Sequence, residues 1–503
     1  MRQMKTKPFP YQAEVFEQSK DERFFAILWE QGTGKTKLTI DTLCYNYDKG
    51  SIDAVILVAP SGVHTNWRLE QWPKHGWESV PAHFFEWESG KANGKRYQKR
   101  FEGWVKNETT LPILTCIYDA LNVKNLQKAF KALLKHKKCI AVILDESSKI
   151  KNPKAVRTKV AIKLGKMNPI VLKRILSGTP GNSPFHFFSQ FNFLDESILN
   201  CSSYVNFKHL HGQFVRRKAH NAATGKSWYY DHLLSYRNID ILQERIAPHS
   251  SRVLKKDVKK DLPPKLYDVQ RFNLTARQEE AYTTLQDEMF LEYGDAELTV
   301  NHAMVMVGKL QQICNGFLKM EDGTIVKFYD KLEELPKIKY IMDFLEANEK
   351  KISLRAAFTQ DLDNYVNAIA SMKGEDGRPY NTVRCDGRVK MNQRFKYLQQ
   401  FESTDFWEIA GILMNMSVLT MGVDILATDV LFFASHTFIY DDRVQCEDRS
   451  HREGQKEHLN VIDLIMHGTV DELFITSHEE KKDVAELMIG DQFVNLLREY
   501  HRG

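Results

Sequence analysis

The strongest constraint on the fold is a rhythm. Short apolar runs rich in β-branched residues, "FFAILW", "AVILVAP", "PILTCI", "AVILDE" and "RILSGTP", recur through the first 180 residues, separated by longer amphipathic stretches. Strands alternating with helical segments predict a parallel sheet covered on both faces, because a strand buried on both sides reads as a continuous apolar run. A second series follows residue 350: "ISLRAAFT", "TVRCDG", "GILMNMSVL", "VLFFAS" and "NVIDLI". The chain therefore reads as two α/β lobes in tandem. The N-terminal lobe is placed at 1–250 with an insertion near 182–235, a linker at 251–265 around "KKDVKKDLPPK", and the second lobe at 266–503. That lobe carries a helical insertion near 270–345 and a terminal helix within "VAELMIGDQFVNLLREYHRG".

Composition bounds the setting. The 503 residues are 43% apolar, and no run approaches the ~18 residues of a membrane span. Seven cysteines at 44, 116, 139, 201, 314, 385 and 446 contain no C-x-x-C pair, which argues against a disulfide framework or a zinc site and for a reducing cytosol or nucleus. The net charge of +5 is slight, but the basic clusters at Lys95–Arg100, Lys135–Lys138, Arg216–Lys218 and Lys255–Lys260 are candidates for phosphate contact. Taken singly, each reads more readily as an ordinary solvated face than as a phosphate contact.

The first chemical motif is "GTGKT", comprising Gly32, Thr33, Gly34, Lys35 and Thr36, between an apolar run and a helical stretch. A glycine turn opening a helix presents backbone N–H groups to phosphates. Lys35 neutralises their outer charge, and the Thr36 hydroxyl is placed to hold magnesium. The string is short of the early glycine of the full pattern, whose place would fall to Glu30 or Gln31. A second motif, "DESSKIKN", ends the run "CIAVIL" with two carboxylates. A phosphate loop needs one acid to orient a metal and another to direct the attacking water, roles suited to Asp145 and Glu146. Transition-state charge is then sought in "QCEDRSHREGQ", where Arg449 and Arg452 stand three apart and, on a helix, would share one face.

The order of these strings resembles the Swi/Snf-type remodeller ATPases, a branch of the superfamily-two helicase-like DNA translocases, over nearly the whole chain. The resemblance implies two RecA-like doubly wound lobes, ATP and magnesium as cofactors, and DNA, favouring duplex, as a partner read through its backbone with little sequence preference. In "FPYQAEVFEQ" it implies that Gln12 reads the adenine. In "LVAPSGVHTNWRLEQWPKH" it places Pro60, Ser61 and Trp67 near the DNA strand. It makes Asp145 the metal acid, Glu146 the acid that activates water, and Arg449 and Arg452 the arginine fingers. In "RILSGTPGNSP" it gives Ser177, Gly178 and Thr179 a coupling role. In "SVLTMGVDILATDVLFF" Thr420 would face DNA, with Gly422 and Asp424 approaching the nucleotide, and Gln445 belongs with the nucleotide through "QCEDRSHREGQ".

The chain departs from the pattern at Ser148, where the family has a histidine that links the nucleotide site to the coupling motif. Hydrolysis should survive, and a shorter relay through the Ser148 hydroxyl, bridged by water, is conceivable. A compact motor of this kind resembles bacterial or phage-encoded members, which implies the cytoplasm, or the nucleus if the source is eukaryotic. Two alternatives stay open. One is a strand-separating helicase, with a wedge in "FEGWVKNETT" or "SWYYDHLL"; the other is a hydrolysis-dead DNA-binding scaffold.

Overall fold

The computed structural model describes residues 4–181, 183–221, 226–258, 262–293, 300–374, 377–416, 418, 424–452, 454–455 and 457–480. The chain divides into two compact units, with the main boundary near residue 260 and with Lys218–Tyr229 grouped with the second unit.

The first unit is built on strands β1 (Phe24–Trp29), β2 (Ala54–Ala59), β3 (Ala82–Glu86), β4 (Leu111–Ile117), β5 (Ile140–Asp145) and β6 (Ile170–Leu176). Further on come β7 (Gly212–Asn221) and β8 (Lys226–Tyr236), which pair as a separate two-stranded ribbon, and β9 (Ser250–Val253). The seven-stranded sheet has the order β3-β4-β2-β5-β6-β1-β9, with parallel pairing. Alternation along each strand divides the side chains between two cores. Ala26, Leu28, Ile56, Val142 and Leu144 face one cluster; Phe25, Ile27, Trp29, Leu57 and Ile143 face the other. Helices α1 (Pro10–Ser19) and α2 (Lys35–Asp48) pack into the second cluster and α3 (Phe187–Leu194) into the first.

The second unit carries β10 (Lys265–Phe272), the short antiparallel pair β11 (Phe317–Lys319) and β12 (Ile325–Lys327), then β13 (Ile352–Ala356), β14 (Thr382–Cys385), β15 (Gly411–Asn415), β16 (Val430–Phe433) and β17 (Leu459–Met466). Its six-stranded parallel sheet runs β10-β17-β16-β13-β15-β14. The α/β reading holds in both units. The edge strand β10, eight residues paired with β17 throughout, falls where the sequence read linker and insertion. Its sequence "KLYDVQRF" mixes charge with apolar residues, as an edge exposed on one side allows. Helices Ala276–Tyr293, Val300–Cys314 and Pro336–Asn348, with the β11–β12 pair between the second and third, lie in the rest of the stretch read as a helical insertion. The terminal helix expected after residue 483 lies outside the described residues.

Candidate nucleotide site

In the first unit, adjacent β5, β6 and β1 deliver three segments to one edge of the sheet: the acidic pair after β5, the "SGTP" segment after β6 and the glycine loop after β1. Ligands of open parallel sheets bind at this carboxyl edge, where crossovers diverge.

Gly32 and Gly34 adopt φ of 78° and 88°, a conformation that strains residues bearing a Cβ. Gly34 caps α2, and Lys35 opens it. The Lys35 ammonium folds back onto the loop, donating to the carbonyls of Trp29 at 2.8 Å and Glu30 at 3.3 Å. Thr33 donates to the Glu30 carbonyl at 2.6 Å. Gln12 is buried against this loop: its Oε1 accepts from Phe9 N–H at 3.0 Å and its Nε2 donates to the Thr33 carbonyl at 3.1 Å. A Cβ on Gly34 would stand 2.1 Å from that Nε2. The residue expected to read a base therefore also braces the phosphate loop.

Asp145 and Glu146 are both buried. Asp145 Oδ1 accepts from Glu146 N–H at 3.0 Å, and Tyr118 OH donates to the Asp145 carbonyl at 2.8 Å. Burial, and then the Glu146 carboxylate, push the Asp145 carboxyl up to about 6, against the Trp67 hydrogen bond and the Lys35 charge, which lower it. Glu146 takes a left-handed conformation, φ 55° and ψ 57°, uncommon for a residue with a Cβ. Its Oε1 accepts from Gln31 Nε2 at 3.4 Å, and its Oε2 is buried without a hydrogen-bond partner among the described residues. Gly178 closes the arrangement: a Cβ there would lie 3.0 Å from Gln31 Cγ and 3.4 Å from Lys35 Nζ, so glycine permits the coupling segment to abut the phosphate loop.

Two expectations need correction. Trp67, assigned to the DNA strand, is only 2% exposed, and its indole Nε1–H donates to Asp145 Oδ2 at 2.8 Å. A ring enclosed by the core and bonded to an acid has no face for a nucleic acid. Pro60 is buried as well, whereas Ser61 is exposed at the end of β2. Ser148, given a water-bridged relay, is buried, and among the described residues the direct side-chain bond from this turn is made by the neighbouring Ser147. Ser177 is fully buried, and among the described residues neither its hydroxyl nor that of Thr179 has a hydrogen-bond partner.

The second correction lies in the second unit. Helix α4 (Tyr440–Ser450) buries Gln445 and Arg449 but ends before Arg452, because His451 leaves the helical region at φ −116°, ψ 77°. The two arginines therefore do not share one helix face. Arg452 instead pairs with Asp424 at 2.8 Å and donates to the Asp448 carbonyl at 3.1 Å. Thr420 and Gly422 lie outside the described residues.

Sequence reasoning missed the charges that hold α4. Arg443, buried, donates to Glu447 at 2.7 Å and to Asp463 Oδ2 at 3.0 Å, while Lys265 on β10 reaches Glu447 at 2.9 Å and Asp448 at 3.2 Å. Buried like this, ion pairs fix a geometry more than they add stability. His436, Asp463 and His478 cluster with potential ligand atoms within 4.8 Å of one another, but Arg443 already neutralises that carboxylate. The signal available beforehand was the density of charge in "DDRVQCEDRSHRE", too high for a helix that packs on a sheet without internal pairing. The aromatics of "FEGWVKNETT" are core: Phe101 and Trp104 are buried on the helix Lys95–Val105 against Phe85.

A family model described as the SNF2-related domain matches residues 26–317, and one described as the helicase conserved C-terminal domain matches residues 332–454. The chain is 26% identical over 398 residues to the TATA-binding protein-associated factor mot1 of Aspergillus fumigatus, covering 70% of this chain and 20% of the relative. It is 25% identical to the transcription regulatory protein SNF2 of Saccharomyces cerevisiae, covering 90% of this chain and 26% of that protein. With an uncharacterised ATP-dependent helicase of Mycoplasma genitalium it shares 23% identity, over 93% of this chain and 40% of the relative. It thus spans well under half the length of each of these relatives. Among solved structures, the Sulfolobus solfataricus SWI2/SNF2 ATPase core in complex with dsDNA aligns with a TM-score of 0.41 and 20% identity, over 99% of this chain and 97% of that one. With an SNF2-related domain over more than half its length and a helicase C-terminal domain after it, the chain belongs to the SNF2-related family of superfamily-two helicase-like ATPases.

Proposed function

We propose that the chain hydrolyses ATP with magnesium to move along duplex DNA, remodelling or displacing bound protein. The observation that carries this reading is the convergence of Lys35, the Asp145–Glu146 pair and Gly178 on one sheet edge, with a buried, unpartnered Glu146 oxygen among them. In this reading Gln12 reads the adenine, and the loop from Gly32 through Thr33 and Gly34 to Thr36 cradles the phosphates with Lys35. Glu146 directs the attacking water and takes its proton. Arg449 and Arg452 are the guanidiniums the second unit offers to the transferring phosphoryl group, with Gln445 and Asp424 near the nucleotide.

The oxygen donors fit magnesium: the Thr36 hydroxyl at the start of α2 and the Asp145 carboxylate are hard ligands of the kind the ion prefers. When bound, the ion would neutralise phosphate charge. Asp145 must be ionised to serve, and Trp67 and Lys35 favour that form.

DNA as partner is supported by the family and by exposed basic clusters such as Lys95, Arg96, Lys99 and Arg100. Among the described residues, no helix is long and apolar enough to cross a membrane. Seven free cysteines fit a reducing compartment, the bacterial cytoplasm or a nucleus. A strand-separating activity has one specific observation in its favour: β8 exposes Tyr229, in a ribbon whose other strand exposes Arg216, Arg217 and Lys218.

The test is ATP turnover by the purified protein without DNA, with single strands and with blunt duplex, at two salt concentrations. Stimulation by duplex that weakens with salt and vanishes in Lys35→Ala supports the reading; displacement of a third strand from a triplex then tests movement. Turnover equal to Lys35→Ala under every condition overturns it.

A further inference from the structure

The hydroxyl that links the acidic strand end to the coupling segment belongs to Ser147. Ser147 is fully buried, and its Oγ–H donates to Gln190 Oε1 at 2.6 Å. Gln190, also fully buried on α3, directs its Nε2 to two carbonyls, Pro180 at 2.7 Å and His186 at 2.9 Å. Pro180 ends the "SGTP" segment. Two residues earlier, Gly178 abuts Gln31, which donates back to Glu146. The contacts form a ring through Glu146, Ser147, Gln190, Pro180, Gly178 and Gln31. It joins the strand ends of β5, β6 and β1 in hydrogen bonds and one close approach.

A space-filling role does not account for Gln190. Its neighbours Phe188, Phe191 and Phe193 are core residues, and an amide buried among them is costly unless each polar atom is used. Here the carbonyl oxygen accepts the hydrogen bond of the serine hydroxyl, and the amide N–H groups donate to two backbone carbonyls. The serine is also adjacent to Glu146, whose left-handed backbone needs its surroundings to fix it. One buried amide thus ties the Pro180 carbonyl to the residue that follows Glu146.

We propose that Ser147 and Gln190 are a positioning pair that couples the segment 177–180 to Glu146, the connection that the family resemblance assigns to a histidine at position 148. The proposal rests on the reading of Glu146 as the residue that directs water. The experiment compares Ser147→Ala, Gln190→Met and the double variant with Ser148→Ala and the wild type. It measures ATP turnover with and without blunt duplex, KM for ATP, and thermal melting to verify folding. Duplex-stimulated kcat is expected to fall about tenfold in Ser147→Ala and in Gln190→Met, with the double variant no worse than either and KM for ATP within about twofold. Ser148→Ala should lose less stimulation than Ser147→Ala. Wild-type stimulation in folded Ser147→Ala, or a greater loss in Ser148→Ala, would overturn the pairing while leaving the proposed function intact. A wild-type protein that no DNA stimulates would overturn the proposed function and the coupling together.

Discussion

The indole of Trp67, in the helical turn that follows β2, donates its hydrogen bond to Oδ2 of Asp145 at the end of β5, 2.8 Å away. The residue that sequence reading turned outward toward DNA is thus an inward brace for the acid proposed to hold magnesium. Trp67→Phe keeps an aromatic ring but removes the donor, leaving a buried carboxylate short of one charge-assisted bond. A loss of about 2 kcal/mol, or roughly tenfold or more in turnover, is expected, with a higher magnesium requirement. ATP turnover titrated with magnesium checks this; an unchanged magnesium curve and rate would remove Trp67 from the site.

Gly34 should tolerate no side chain. Its φ of 88° and the 2.1 Å approach of a Cβ to Gln12 Nε2 both oppose alanine. Gly34→Ala is expected to cost about 1–3 kcal/mol of stability and to displace Gln12 from the loop. Binding of a fluorescent ATP analogue should weaken at least about tenfold, since a 1.4 kcal/mol change is already that factor.

Arg452 should matter to the chemical step. Arg452→Ala is expected to lower kcat by about 10³ while nucleotide affinity changes little. Arg452→Lys should recover only a small part, because an ammonium lacks the planar fork. Single-turnover hydrolysis beside equilibrium nucleotide binding separates the two effects.

In the second unit Asp361 is buried, accepting from Ser435 Oγ at 2.6 Å. Burial pushes its carboxyl up to about 7, with Ser435 and Lys337 opposing and Asp471 adding to the rise. The ionised form is the disfavoured one in the fold. Below about pH 4 both folded and unfolded chains hold the proton. Between about pH 4 and 7 the unfolded chain loses it first, so stability falls as pH rises and levels off above 7. Asp361→Asn should remove that slope, gaining on the wild type by roughly 4 kcal/mol between pH 4 and pH 8. Urea unfolding at the two ends of that range measures it; parallel curves for both proteins would refute it.

The two sheets were legible because buried parallel strands must be apolar throughout, and "AVILVA" or "IAVILD" admits few other readings. The edge strand β10 was not, since an edge need bury only part of its surface and its composition looks like a linker. Lys35, Asp145 and Glu146 were legible as candidates because phosphate chemistry, the reading proposed here, calls for those groups at strand ends. Their supports were not. Trp67, Gln31, Ser147, Gln190 and Pro180 lie far apart in sequence, and no local spacing records that an indole meets a carboxylate 78 positions away or a serine an amide 43 away. The sequence by itself determined the strands, the glycine loop and the acids, because backbone conformation and charge act locally. Only the tertiary structure decided which hydroxyl reaches the coupling segment, since a side chain's partner depends on the direction that burial and packing leave open to it.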